Sequence, residues 1–243
     1  MEKKVILIVG HPNNVEEGKR FDYFTSLYKK YFMSIAGGAF EGEDILEYKE
    51  QRLENIESEL SKLNACYVIV VLIGHGGTKD EKHVLKLNNN EIIFPGQLSI
   101  GAQKQLYIVE SCRNIIEGEL PVVDLDSVTK FKKGGVFRLP ITREEARERF
   151  ERYLQDTDDG IAICMSCSND QSAYGFYFSS TLLTVGHNWH NHTNNYGRCL
   201  GISDTITEYV APYVVKLARE IDKDQEPKVI GDNINYPFSI CKY

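Results

Sequence analysis

No apolar run in this chain of 243 residues approaches the roughly 20 residues needed to cross a bilayer, so no membrane partner is expected. A cationic excess is missing too: 28 Lys and Arg stand against 35 Asp and Glu, a formal net charge of -7. Phosphate-binding surfaces need clustered Lys and Arg, so no nucleic-acid partner is expected, whereas a basic peptide would suit an acidic protein. The six cysteines are scattered through a chain too long to need a disulfide framework. The Gly10-His11-Pro12 segment is not the Gly-rich cradle of a phosphate-binding, flavodoxin-like module. No internal repeat is present. Met1-Glu2-Lys3-Lys4 before Val5 to Val9 has the outline of a signal peptide, but the apolar core is too short and His11-Pro12-Asn13-Asn14 is no cleavage site. That stretch reads as a first strand, and the protein as cytoplasmic.

What is present is an ordinary globular composition, 42% hydrophobic and 26% charged, organised around residues 66–114. Tyr67 to Ile73 is continuously apolar and stops at Gly74-His75-Gly76-Gly77. Leu106 to Val109 is apolar and stops at Glu110-Ser111-Cys112-Arg113-Asn114. Apolar runs bounded by turn residues suggest strands covered on both faces, as in a parallel sheet. Ligands of such sheets bind beyond the carboxyl ends of the strands, where His75 and Cys112 would emerge together if the strands are neighbours. A thiol beside an imidazole is a minimal nucleophile and base pair.

Around these strands the chain alternates as an α/β protein does. Lys4 to Val9 predicts a first strand, and Glu16 to Met33 a helix with Phe21, Phe24, Leu27, Tyr31 and Phe32 on one face, ended by Gly37-Gly38. A second helix is expected over Tyr48 to Leu63. A hairpin with an Asn turn is expected over Val84 to Phe94, and a short helix over Pro95 to Gln103. Residues 114–139 lose all periodicity and read as an active-site loop, open to processing at Lys130, Lys132, Lys133 or Arg138. Thr142 with Glu145 three residues later is a capping box opening a helix whose wet face pairs Glu145 with Arg149 and Glu148 with Arg152. Then follow a strand over Gly160 to Cys167, a helix over Tyr174 to Val185, and a loop over His187 to Asn195. Ser203 caps a last helix that Pro212 should kink or split, and Tyr236 to Cys241 is the final strand.

As a site, His75 would act as base and acid, and an adjacent imidazolium would favour the Cys112 thiolate. The backbone N–H groups of Gly76 and Cys112 would hold the oxyanion. No Asn or Asp is an evident third member, so a backbone carbonyl is expected to orient the ring.

These residues resemble the caspase-fold cysteine peptidases: caspases, metacaspases, paracaspases and legumain. Glu110-Ser111-Cys112-Arg113 and Gly74-His75-Gly76 are similar to a mixture of the caspase and metacaspase nucleophile and histidine motifs. Gly18-Lys19-Arg20-Phe21-Asp22 resembles the Gly-x-x-x-Asp that opens the first helix. Cys167 to Ala173 resembles a metacaspase segment, and Gln225-Glu226-Pro227 before Tyr236-Pro237-Phe238 resembles the end of caspases. The resemblance implies an α/β, three-layer α-β-α sandwich with a mostly parallel central sheet. It implies one caspase-like domain over residues 1–243, in which residues 1–113 are large-subunit-like, residues 114–139 a linker and residues 140–243 small-subunit-like. It implies a cysteine endopeptidase acting on protein or peptide substrates, as a monomer or a homodimer.

The departures bear on specificity. Glu110 stands where caspases carry a pocket Gln, Glu16 where they carry an Arg, and Asp22 matches a metacaspase pocket acid; Tyr174 replaces the second caspase Arg. An acidic pocket would bind Arg or Lys before the scissile bond. Legumain-like enzymes also carry a Glu two residues before the Cys and take Asn, so Asn specificity stays open, as does a catalytically silent binding scaffold. Cys164 and Cys167 with His187 and His190 have a zinc-like spacing, but the first pair lies in a strand pattern that splays the two side chains, so no metal is expected. Some metacaspases need calcium; Asp80, Glu81, Glu117, Glu119, Asp124 and Asp126 form no recognisable calcium loop, and calcium activation stays open.

Overall fold

The computed structural model describes residues 2–80, 82–112, 139–168, 171–174, 176–192, 195, 197–231 and 234–243, without the side chains at positions 78 and 112. The processing loop expected over 114–139 lies outside the described residues except for Leu139.

Strand β1, Lys3–Val9, pairs in parallel with β2, Ile45–Lys49, on one side and with β3, Tyr67–Lys79, on the other. Strand β3 pairs in parallel with β6, Lys104–Cys112, and β6 with β7, Gly160–Met165. The antiparallel edge strand β9, Lys228–Ile230, completes the order β2-β1-β3-β6-β7-β9. Beyond its parallel section β3 runs on into an antiparallel pairing with β4, Lys82–Lys86, which pairs with β5, Ile92–Ile93. This is the expected hairpin with its Asn turn.

Alternation along the strands divides the core into two clusters. Val5, Leu7 and Val9 pack with the larger one, and Ile6 and Ile8 with the smaller. The larger holds helix α1, Val15–Met33, through Phe21, Phe24, Tyr28, Tyr31 and Phe32, and helix α3, Arg143–Gln155, through Ala146, Phe150 and Leu154. It also holds α4, Tyr177–Asn191, through Phe178, Leu182 and Val185, and the last helix through Val210 and Val214. The smaller cluster takes Ile56 and Leu60 of α2, Leu53–Leu60, together with Leu98, Ile100 and Ala102. The arrangement is the three-layer α/β sandwich with a mostly parallel sheet.

Local chemistry explains most element ends. Thr142 accepts from the Glu145 backbone N–H while the Glu145 carboxylate accepts from the Thr142 N–H, the expected capping box. Gly38, at φ +100, closes the turn after α1 in a conformation that suits glycine, with the Phe150 ring against it. Pro212 does not split the last helix: the helical run continues from Ile202 to Glu220, and a π-helical segment, Thr205–Val210, gives way to α5, Ala211–Glu220, with Pro212 in its first turn.

Several expectations need correction. The stretch from Tyr48 begins as the end of β2, and its helix starts only at Leu53, because Ile45 to Tyr48 is drawn into the sheet beside β1. Residues 95–103 form no helix; Leu98, Ile100 and Ala102 fill the smaller core cluster from irregular backbone, and the Gln105 side chain donates to the carbonyls of Ile100 and Ala102. Helix α4 continues through His187 to Asn191, and Ser203 lies inside the short helical turn Ile202–Asp204 rather than capping it. The final strand is where it was expected, as β10, Pro237–Ile240, and it pairs with β8, Cys199–Gly201, outside the main sheet. On α3 the ion pairs run across the fold: Arg143 and Arg147 reach Glu41, and Arg149 donates to the Tyr243 carbonyl.

Candidate active site

The parallel ladder between β3 and β6 runs from Tyr67 opposite Lys104 to His75 opposite Cys112. The two residues picked out by the sequence are therefore the last facing pair, where the parallel section of β3 and strand β6 both end. Both strands are buried on both faces, which fixes their register: a slip of one residue would turn every apolar side chain to the wrong layer.

His75 sits where β1 hands over to α1. Gly10 N–H donates to the Ile73 carbonyl at 2.8 Å and His11 N–H to the Leu87 carbonyl at 3.0 Å, holding the loop after β1 against β3 and the hairpin. The loop ends at Asn14, the N-cap of α1, whose side chain accepts from the Glu17 backbone N–H at 2.9 Å. The Glu17 carboxylate turns back into the protein. Its Oε2 accepts from the Asn13 backbone N–H at 2.5 Å and lies 2.7 Å from His75 Nε2. Asn13 Nδ2 lies 2.8 Å from the same ring nitrogen, and the Phe21 ring meets the imidazole edge-on at 5.9 Å between centroids. The His75 side chain is 15% exposed and that of Glu17 only 2%.

Glu17 is the residue that sequence reasoning missed. The ring was expected to be oriented by a backbone carbonyl; among the described residues its partners are the Glu17 carboxylate and the Asn13 side chain. A signal was present: Asn14-x-x-Glu17 at the start of an amphipathic helix has capping-box spacing, which marks Glu17 as a first-turn carboxylate beyond the carboxyl end of β1.

Glu110 is completely buried and points toward α4. Its Oε2 accepts from the Ser179 backbone N–H at 2.8 Å and from the Ser179 hydroxyl at 2.5 Å. Tyr28 shares the Ser179 Oγ at 2.7 Å, and burial, reinforced by the Glu110 charge, pushes the Tyr28 phenol well above its usual range. Phe176, the N-cap of α4, provides no side-chain cap, so Glu110 supplies that helix with its acceptor from the neighbouring strand. The other two acids proposed for the pocket lie on the wet side of α1. Glu16 is paired with Lys19 at 2.7 Å and Asp22 with Lys49 at 2.7 Å. The Lys19 hydrogen bond and charge hold the Glu16 carboxyl below its usual range.

Ser111 faces the opposite layer from Glu110 and bonds His83 of β4. A Cβ at Gly76 would lie 2.6 Å from both Cβ and Oγ of Ser111 and 3.1 Å from His83 Nε2. Glycine at 76 is thus required for space. Cys164 is buried, and burial raises its thiol above the usual value; His187 and His190 are lowered by burial. Among the described residues no group of three or more His, Cys, Asp or Glu is placed to hold a metal ion. No helix among them is long and apolar enough to cross a membrane.

Solved structures share this fold. Caspase-1 from Spodoptera frugiperda superposes with a TM-score of 0.54 at 11% identity, covering 96% of this chain and 88% of that one. The Drosophila initiator caspase Dronc gives 0.53 at 9% identity, covering 98% and 81%. The fold is that of the caspases. The structure of pro-sf-caspase-1 agrees, with a TM-score of 0.53 at 12% identity over 95% of this chain and 87% of that one. No family model matches the chain, and no curated protein matches it. The caspase-like fold therefore rests on shape, with little sequence in common.

Proposed function

We propose that the chain is a cysteine endopeptidase with Cys112 as nucleophile and His75 as general base and acid. The observation that carries this reading is the pairing of His75 with Cys112 at the carboxyl ends of neighbouring parallel strands in a caspase-like fold. The Cys112 thiol gives its proton to His75 and its sulfur bonds to the scissile carbonyl carbon. The N–H groups of Gly76 and Cys112 hold the resulting oxyanion. The C–N bond breaks, and the leaving amine takes the proton from His75. Water then attacks the thioester, releasing the acid product and returning a proton to sulfur.

For specificity we propose a basic residue before the scissile bond. Glu110, two residues before the nucleophile, supports this reading as a carboxylate beside the site. Glu16 and Asp22 would contribute only if Lys19 and Lys49 swing away. The complete burial of Glu110 and its bonds to Ser179 favour a second role for that residue, as an anchor for α4. Self-processing after Lys130, Lys132, Lys133 or Arg138 belongs to the same proposal.

The experiment is a panel of fluorogenic peptides carrying Arg, Lys, Asn or Asp before the cleaved bond, run on wild type and Cys112→Ala. Hydrolysis after Arg or Lys that vanishes in Cys112→Ala supports both the mechanism and the specificity. Preference for Asn or Asp overturns the acidic pocket and spares the dyad. Activity that survives in Cys112→Ala overturns the mechanism. Mass spectrometry of the incubated protein tests self-processing; an intact chain under conditions of full activity rejects it.

A further inference from the structure

We infer that Glu17 is a positioning residue that makes the pair a triad: it holds the His75 imidazole in the Nε2–H tautomer, so that Nδ1 is the nitrogen available to take the thiol proton. This rests on the Cys112–His75 reading above.

Three observations converge on Glu17. Its carboxylate oxygen is 2.7 Å from His75 Nε2, a short charge-assisted contact. Its side chain is 2% exposed, so water does not compete for it. The Asn13 backbone N–H at 2.5 Å and the Asn14 cap on its own N–H fix it from two sides. An ordinary first-turn glutamate is favoured by the helix N-terminus while lying in solvent. The first-turn neighbour Glu16 does that, paired with the exposed Lys19. Glu17 instead is buried against the imidazole, which a capping role alone does not require.

The tautomer follows from charge. A lone pair on Nε2 facing a carboxylate oxygen at 2.7 Å would be repelled, whereas an Nε2–H donates to it. Asn13 meets the same nitrogen at 2.8 Å, so with Nε2 acting as donor its amide turns the oxygen rather than the nitrogen toward the ring. When Nδ1 accepts the proton from Cys112, the new imidazolium lies against a buried negative charge. Glu17 orients the ring and transfers no proton, the part the aspartate plays in a serine-protease triad.

The test has two stages. ¹⁵N NMR of wild-type protein with labelled histidine reads the tautomer directly: Nε2–H is expected, and Nδ1–H overturns the inference whatever any variant does. Kinetics then compare wild type, Glu17→Gln, Asn13→Ala, His75→Ala and Cys112→Ala on the peptide that wild type cleaves best. Glu17→Gln is expected to lower kcat roughly 10- to 100-fold with KM nearly unchanged and to mix the two tautomers in the NMR spectrum. Unchanged kcat in a folded Glu17→Gln, with His75→Ala and Cys112→Ala both inactive, rejects the role of Glu17 and keeps the dyad. Activity surviving in His75→Ala or Cys112→Ala rejects the dyad itself.

Discussion

His75 and Cys112 form the last pair of the ladder between β3 and β6, opposite one another where two parallel strands leave the core. Each lies one residue past a pair of small residues, Gly74 facing Ser111, so the register reaches the site intact. If this pairing creates the chemistry, His75→Ala should lower kcat by about 10²- to 10⁴-fold, the usual contribution of a positioned acid–base group. Some stability should be lost as well, because the buried Glu17 carboxylate loses its imidazole partner, so activity is compared well below both melting temperatures. Steady-state kinetics with parallel thermal melts give the answer, and a loss of activity that merely tracks unfolding would speak against a chemical role.

Glu110 should matter to stability whatever it does for substrate. Replacing it with Ala leaves the buried Ser179 N–H and hydroxyl without their acceptor. A cost of about 1–3 kcal/mol is expected, and Glu110→Gln, which keeps an acceptor oxygen, should cost less. Urea denaturation measures both. If Glu110→Ala is as stable as wild type, the carboxylate is no anchor for α4.

Gly76 is crowded by the side chain behind it. Gly76→Ala should lose about 1–3 kcal/mol, since the added methyl would overlap Ser111 at 2.6 Å. Adding Ser111→Gly to that variant should recover some of the loss, because the colliding atoms are gone. A double-mutant cycle showing purely additive effects would place the strain elsewhere.

Glu41 joins the turn after α1 to helix α3, accepting from Arg143 and Arg147. Hydrogen bonds from Arg143, then Arg147, hold its carboxyl below the usual value. A carboxylate depressed on folding contributes fully above its unfolded value, about 4.3, and loses that contribution as pH falls through the lower folded value. Wild-type melting temperature should therefore fall more steeply than that of Glu41→Gln as pH is lowered from about 5 to 3. Parallel acid limbs for the two proteins would show that the cluster carries no linked proton.

Much of this architecture is legible in the chain itself. The continuous apolar run from Tyr67 to Ile73 requires cover on both faces, and that alone predicts a central strand. Thr142 and Glu145 mark a helix start through contacts confined to one turn. Pro212 lacks an N–H and perturbs its helix, wherever that helix packs, and the turn before it is π-helical. These are local rules, and local sequence carries them. Residues 95–103 show the limit: nothing in their pattern says that the space beneath the sheet is filled by irregular backbone rather than by a helix.

The sequence by itself determined that a Gly-His-Gly and a Ser-Cys lie at the ends of two apolar runs covered on both faces, since that burial is written in the composition of each run; it did not show that β3 continues through the glycines to Lys79 or that β6 includes Ser111 and Cys112. Only the tertiary structure decided that the strands are neighbours in register, that Glu110 bonds Ser179 at the N-terminus of α4, and that Glu17 rather than a backbone carbonyl meets the imidazole. Those facts join residues distant along the chain: Glu17 and His75 are 58 positions apart, and Glu110 and Ser179 are 69. No periodicity spans such intervals. The packing of α1 and α4 on one face of the sheet brings them together, and that packing depends on the whole core at once.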